Sequence, residues 1–253
     1  MDQSRAAQPD RRSGVADTMA TFVVCHGAWS AGWAWAKMHP LMSARGHRLI
    51  TPTLTGLGER AHLARPDIDL ETHIADILGV LTYEDLNNVN LIGHSYSGMV
   101  ATGVADRARA RITQLIYIDA FVPRDGESAF DVLPESVRAQ RQAGASSSAD
   151  GWRIPPGPMP PDTSPKDRAW CEPLRVPQPV KTFEQKLIFQ NGPLTLPRQY
   201  IYCLRNSADD RFRVFYERAK SEGWAGAHEI DSSHNPHLTC PDVLADLLTK
   251  IAA

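Results

Sequence analysis

The chain lacks the features that would assign it to several large functional classes. It has no Cys-x-x-Cys pair; its four cysteines, Cys25, Cys171, Cys203 and Cys240, are scattered over 253 residues. Two of them fall in strand-like runs, which points to buried free thiols and a reduced, cytoplasmic setting. No apolar run approaches the roughly 20 residues of a bilayer span, so no membrane is expected as a partner. Charge is close to balanced, with 27 Lys and Arg against 29 Asp and Glu and a formal net charge of −2. Without a basic stripe there is no footprint for nucleic acid. The first 18 residues are polar and have no apolar h-region, so they do not read as a secretory signal. Residues 1–18 are expected to form a disordered leader, with Met19 as the natural start. No internal repeat is evident.

What is present is an alternation of short apolar runs with helical spacing. The ordinary hydrophobic fraction, 42%, suits one large domain with a small insertion. Strands are expected at 21–25, 48–51, 89–92, 114–118, 198–204 and 225–230. Helices are expected at 34–45, 70–81, from 98 to about 109, and at 241–251. Apolar residues at 70, 74, 77, 78 and 81 give the second of these its period. Repeated strand–helix alternation predicts an α/β fold with a doubly wound, mostly parallel sheet. The pattern breaks over 121–197, which holds most of the prolines and the run Pro155-Pro156-Gly157-Pro158-Met159-Pro160-Pro161. A structureless loop of that length is improbable in a compact domain. The segment reads as a cap or lid insertion with short helices near 127–142 and 164–172. The core is then 19–120 and 198–253.

The stretch Gly93-His94-Ser95-Tyr96-Ser97-Gly98 carries the chemistry. It follows a strand-like run and precedes a run of small residues, the layout of a nucleophile elbow. Such a turn holds its serine at a strained φ/ψ and demands small neighbours. Gly93 meets that demand; Ser97 stands where glycine is usual. A serine hydroxyl needs a base to take its proton, an acid to orient the base, and two N–H donors for the oxyanion. In this layout the order is Ser, acid, His. Among nine histidines, His234 follows the final strand and is the expected base, with His237 as the spare. No carboxylate or cysteine cluster accompanies that pair, so neither a metal nor an organic cofactor is implied. Asp119 ends the strand after the elbow helix and is the expected acid. Asp209 and Asp210 follow the next strand and are the alternatives. The expected oxyanion donors are the amides of Ala28 and Tyr96. His26 reads as a brace for the Ala28 loop. Trp29 and Phe121 are expected to line a substrate pocket.

The residues just named resemble the α/β-hydrolase superfamily. More narrowly, His26-Gly27-Ala28-Trp29, Thr51-Pro52-Thr53-Leu54-Thr55-Gly56-Leu57-Gly58-Glu59-Arg60 and Tyr117-Ile118-Asp119-Ala120-Phe121-Val122-Pro123 resemble a bacterial esterase group. That group includes the carbendazim-hydrolysing esterases and is similar to plant methylesterases and hydroxynitrile lyases. The resemblance covers about 20–253 and is weakest over 140–197. It implies an α/β-hydrolase fold and a serine hydrolase acting on a small carboxylic ester, lactone or carbamate. Plant relatives carry their acid shortly after the strand at 199–204, and the matching place here is Asn206, which has no carboxylate. That shifts the acid to Asp119, a position similar to the acid of some haloalkane dehalogenases. One alternative is a hydroxynitrile-lyase reaction, which the resemblance ties to a Lys after the late strands; no Lys lies near 234 here. Another is a non-catalytic ligand-binding module. A homodimer is compatible with the sequence.

Overall fold

Period-two alternation along each strand sends neighbouring side chains to opposite faces, so a sheet covered on both sides needs apolar residues at every position. The computed structural model, which describes residues 19–206 and 210–253, is built this way. The expected leader 1–18 lies outside the described residues, as does Asp209. In chain order the elements are β1 (Thr21–Cys25), α1 (Met38–Ala44), β2 (Arg48–Ile50), α2 (Leu70–Tyr83), β3 (Val89–His94), α3 (Gly98–Arg107), β4 (Ile112–Ile118), α4 (Glu135–Ser146), β5 (Arg153–Ile154), α5 (Pro165–Cys171), β6 (Gln178–Pro179), α6 (Lys181–Glu184), β7 (Arg198–Cys203), α7 (Arg213–Ser221), β8 (Gly226–Ile230), α8 (Pro236–Thr239) and α9 (Pro241–Ala252).

Six strands form one sheet in the order β2-β1-β3-β4-β7-β8, every neighbouring pair parallel. Leu91, Leu115 and Tyr117 pack on one face with Ile74 of α2 and Val100 of α3. Ile92, Ile116 and Ile118 pack on the other with Met38 of α1 and Leu244 of α9. Helix α2 starts at Leu70 because the Asp69 carboxylate accepts the Thr72 amide at 2.9 Å, a capping box. Between β4 and β7 the chain makes α4, α5, α6 and a two-stranded antiparallel pair, β5 with β6.

Several boundaries differ from the sequence reading. The expected helix 34–45 is a 3₁₀ turn at Gly32–Trp35 followed by α1. The helix expected near 127–142 is Glu135–Ser146, because Pro134 precedes its first turn. The preceding segment instead turns on its own side chains: the Asp131 carboxylate accepts from the Ser128 amide at 2.9 Å and from its hydroxyl at 2.8 Å.

Positioning of the elbow depends on one close approach. A Cβ on Gly98, the first residue of α3, would stand 1.9 Å from the Phe121 carbonyl oxygen. Backbone cannot yield there as a flexible side chain would. Gly98→Ala is therefore expected to destabilise the protein by about 3 kcal/mol, the upper range of overpacking. In contrast, a Cβ on Gly79 of α2 meets nothing within 4 Å. Gly79→Ala is expected to add about 1 kcal/mol through helix propensity. Thermal unfolding of both variants checks this pair; a neutral Gly98→Ala contradicts it.

Candidate active site

The loops after β1, β3, β4 and β8 all leave the carboxyl edge of the sheet, where open α/β sheets bind ligands. Adjacent pairing sets their spacing: His94 at the end of β3 lies opposite Ile118 at the end of β4. Ser95 and Asp119 thus follow neighbouring strand ends. Both have positive φ, 56° and 42°, as does Trp29 after β1 at 59°. Non-glycine residues held there cost of order 1–3 kcal/mol each and persist only where surroundings enforce them. Here the Phe121 amide donates to the Ser95 carbonyl at 3.0 Å, and the Asp119 amide donates to the Ile201 carbonyl at 2.8 Å.

The three side chains expected to act together do meet. The Ser95 hydroxyl donates to His234 Nε2 at 2.8 Å, and His234 Nδ1–H donates to Asp119 Oδ2 at 2.6 Å. Asp119 is 0% exposed. Its second oxygen accepts from the Cys203 amide at 3.3 Å and from Asn206 Nδ2 at 3.2 Å. A buried carboxylate thus has three donors, which burial requires. Asn206, at the place where the resemblance implied a carboxylate, serves as one of those donors.

Asp210, one of the alternative acids, is engaged elsewhere. It accepts from the Tyr202 hydroxyl and from the amides of Phe212 and Arg213, both at 3.1 Å, at the start of α7. It makes no hydrogen bond to His234 among the described residues, so it caps a helix and does not complete the relay. His237, the spare base, is buried and stacks on Trp35 with ring centroids 4.5 Å apart.

Around Ser95 the loops are braced by neutral imidazoles. His26 Nδ1–H donates to the Gly27 carbonyl at 2.9 Å, and its Nε2 accepts from the Leu54 amide at 3.1 Å. The expected brace is therefore present. His94 Nε2–H donates to the His234 carbonyl at 2.8 Å, so the residue before the serine holds the backbone of His234. Ser97, the off-pattern position, is buried, and its hydroxyl donates to the His26 carbonyl at 2.5 Å. It ties the elbow to the loop that carries Ala28.

These residues open onto a cavity of about 640 Å³ whose wall includes Ala28, Trp29, Ser95, Tyr96, Phe121 and His234. Residues from the segment between β4 and β7 complete the wall, among them Ile154, Pro155 and Phe183. That segment also reaches the base. Asp162 accepts from the Ser233 amide at 3.0 Å and from the Ser233 hydroxyl, next to His234. Sequence reading missed Asp162 and the role of His94; a single acid in a proline-rich loop gives no signal of its distant partner. Among the described residues, no group of three or more His, Cys, Asp or Glu could hold a metal ion. No helix among them is long and apolar enough to cross a membrane.

Comparison with known proteins places this geometry in context. The alpha/beta hydrolase family model matches residues 22–247. The chain is 37% identical to a carbendazim hydrolyzing esterase of Nocardioides sp. (strain SG-4G) over 243 residues, spanning 92% of this chain and 100% of that one. It is 24% identical to methylesterase 9 of Arabidopsis thaliana over 262 residues, spanning 92% and 98%. Among solved structures, an extracellular alpha/beta-hydrolase from a Paenibacillus species superposes with a TM-score of 0.78 at 23% identity, covering 91% of this chain and 98% of that one.

Burial lowers the imidazoles of His26 and His73 to about 4 and that of His237 to about 3, and holds His94 well below its ordinary range. For His237 the neighbouring His234 adds to the effect, and for His94 both His237 and His234 do. Below pH 6.5 the unfolded chain binds protons at these groups while the folded protein does not. Stability is complete above that pH and is lost as pH falls towards 4, by on the order of 1.4 kcal/mol per group for each pH unit. Urea unfolding at pH 7.5, 6 and 5 is expected to show a falling midpoint. An unchanged midpoint contradicts the neutral, buried state of these histidines.

Proposed function

We propose that this chain, which belongs to the alpha/beta hydrolase family, is a carboxylic ester hydrolase that works through an acyl-enzyme on Ser95. The observation that carries the reading is the continuous relay from Ser95 Oγ through His234 to Asp119, at 2.8 and 2.6 Å. Ser95 attacks the ester carbonyl as His234 Nε2 takes its proton. Asp119 holds the ring in the tautomer that leaves Nε2 free to accept, and it stabilises the imidazolium. Amides of Ala28 and Tyr96 receive the oxyanion. The imidazolium then protonates the leaving alcohol, and a water activated by His234 releases the acid and restores Ser95.

Support also comes from relatives named as esterases. The small-ester class extends to lactones and carbamates. Trp29 and Phe121 are assigned to substrate contact because both line the cavity. Segment 121–197 is assigned as the cap for the same reason. The lyase alternative depends on a lysine, and no described lysine lines this cavity. A non-catalytic role leaves the strained Ser95 and the buried Asp119 without a purpose. All four cysteines are free, consistent with a cytoplasmic location.

Ser95→Ala is expected to abolish both labelling by a fluorophosphonate probe and hydrolysis of p-nitrophenyl acetate. Asp119→Asn is expected to lower kcat by about 10⁴-fold, as loss of the correct tautomer does in comparable triads. If Ser95 resists the probe in folded protein, or Asp119→Asn retains full activity, the mechanism fails.

A further inference from the structure

Helix α4 turns one stripe to the cavity: Val137, Gln140, Arg141 and Gly144, at helical spacing. Arg141 is the anomaly in that stripe. Its guanidinium lies over the Trp29 ring at 4.6 Å and near the Phe183 ring at 5.5 Å. Its Nε is buried without a hydrogen-bond partner. No carboxylate pairs with it among the described residues, where seventeen other ion pairs occur. Burial lowers it only to about 10, so it remains charged at neutral pH.

A cation withdrawn from water is costly unless something of opposite charge meets it. Ring faces compensate in part and orient the group. They offer no acceptor to a guanidinium, whose buried Nε–H has none here, and a guanidinium fork matches a carboxylate in two parallel bonds. The ring platform is itself fixed. Trp29 Nε1–H donates to the Ile154 carbonyl at 2.8 Å, and the Trp29 amide donates to Gln178 Oε1 at 3.1 Å. Phe183 in turn stacks on Tyr96, centroids 4.9 Å apart, beside the proposed nucleophile.

The rest of the wall has the same sign. Arg175, Arg205 and Arg211 also line the cavity, against one acid, Asp210. Arg205 pairs with Asp231, and Arg175 donates to the Gly157 carbonyl. Arg211 adds a like charge that acts on Arg141. Asp210 is already engaged by Tyr202 and the start of α7.

We propose that Arg141 forms an anion subsite in this cavity and that the substrate is an ester bearing a free carboxylate, of the half-ester type. This rests on the ester-hydrolase reading above. The Arg141 fork takes the substrate carboxylate in a bidentate pair over the Trp29 ring, while the ester carbonyl of the same molecule reaches Ser95.

The test compares monomethyl with dimethyl esters of succinic, glutaric and adipic acids. In the unaltered protein, kcat/KM is expected to favour at least one monomethyl ester over its diester by tenfold or more. That ratio is expected to fall at least tenfold in Arg141→Met, which keeps an apolar stem against the rings, and to survive in part in Arg141→Lys. Calorimetric titration of Ser95→Ala with monomethyl adipate and dimethyl adipate reads binding without turnover. Preference for the diester throughout, or an unchanged ratio in Arg141→Met, overturns the subsite while leaving the hydrolase reading intact. If no ester is turned over, yet Ser95→Ala binds the half-ester more tightly than the diester and Arg141→Met removes that difference, the subsite stands and the hydrolase reading falls. No turnover and no charge-dependent binding sinks both.

Discussion

The structure depends on the contact between the start of α3 and the backbone after β4. Gly98 lets the helix approach the Phe121 carbonyl closer than any side chain allows. Across the same junction the Phe121 amide reaches back to the Ser95 carbonyl. These two constraints hold the serine in a left-handed conformation with its hydroxyl at the cavity. They also fix the loop carrying Asp119 relative to it. A parallel sheet sets the strands about 5 Å apart in a fixed register, and this junction converts that regularity into a distance between a serine and a carboxylate. The strain at Ser95 and Asp119 is sustained because backbone hydrogen bonds and packing enforce it from both sides.

A second constraint is electrostatic. Four imidazoles, His26, His73, His94 and His237, are buried around the elbow and kept neutral by desolvation. Neutral imidazole is both donor and acceptor, and three of the four use at least one nitrogen on a loop backbone or on Tyr96. They brace without adding charge beside His234. A lysine or arginine in the same places would bring a permanent cation next to the His234 ring. The same desolvation that keeps them neutral makes the fold sensitive to acid.

Much of this was legible in the sequence because it is local. Alternating strand and helix periods over β1 to β4 mark the parallel sheet, and the Gly-x-Ser turn between β3 and α3 marks the serine. His234 and Asp119 are recognisable by position, each just past a strand end. What could not be read was set by pairs distant in the chain. Ser97 looked like a departure from pattern, yet its hydroxyl holds the His26 carbonyl 71 residues away. Asn206 looked like a lost acid, and its side chain donates to Asp119 across 87 residues. Gly93, the small residue the motif demands, would bring a Cβ within 2.9 Å of the Ser97 carbonyl; the tighter site is Gly98, and that follows from Phe121 rather than from the motif. Asp210 resembled a triad acid because it follows a strand; the Tyr202 hydroxyl and the first amides of α7 claim it first.

The sheet loops and the segment between β4 and β7 contribute differently to the cavity wall. Bond-breaking chemistry needs sub-ångström placement, which a sheet with short turns provides. Substrate choice needs a wall whose shape and charge can change without disturbing that placement. Arg141, Ile154 and Phe183 stand on the segment between β4 and β7, and Trp29 is one of the places where that segment touches the rest of the chain, through the Ile154 carbonyl and Gln178. Asp162 closes the arrangement from the other side by holding Ser233 beside His234. That segment therefore meets the surroundings of Ser95 and His234 at several points, among them Trp29, Tyr96 through Phe183, and Ser233.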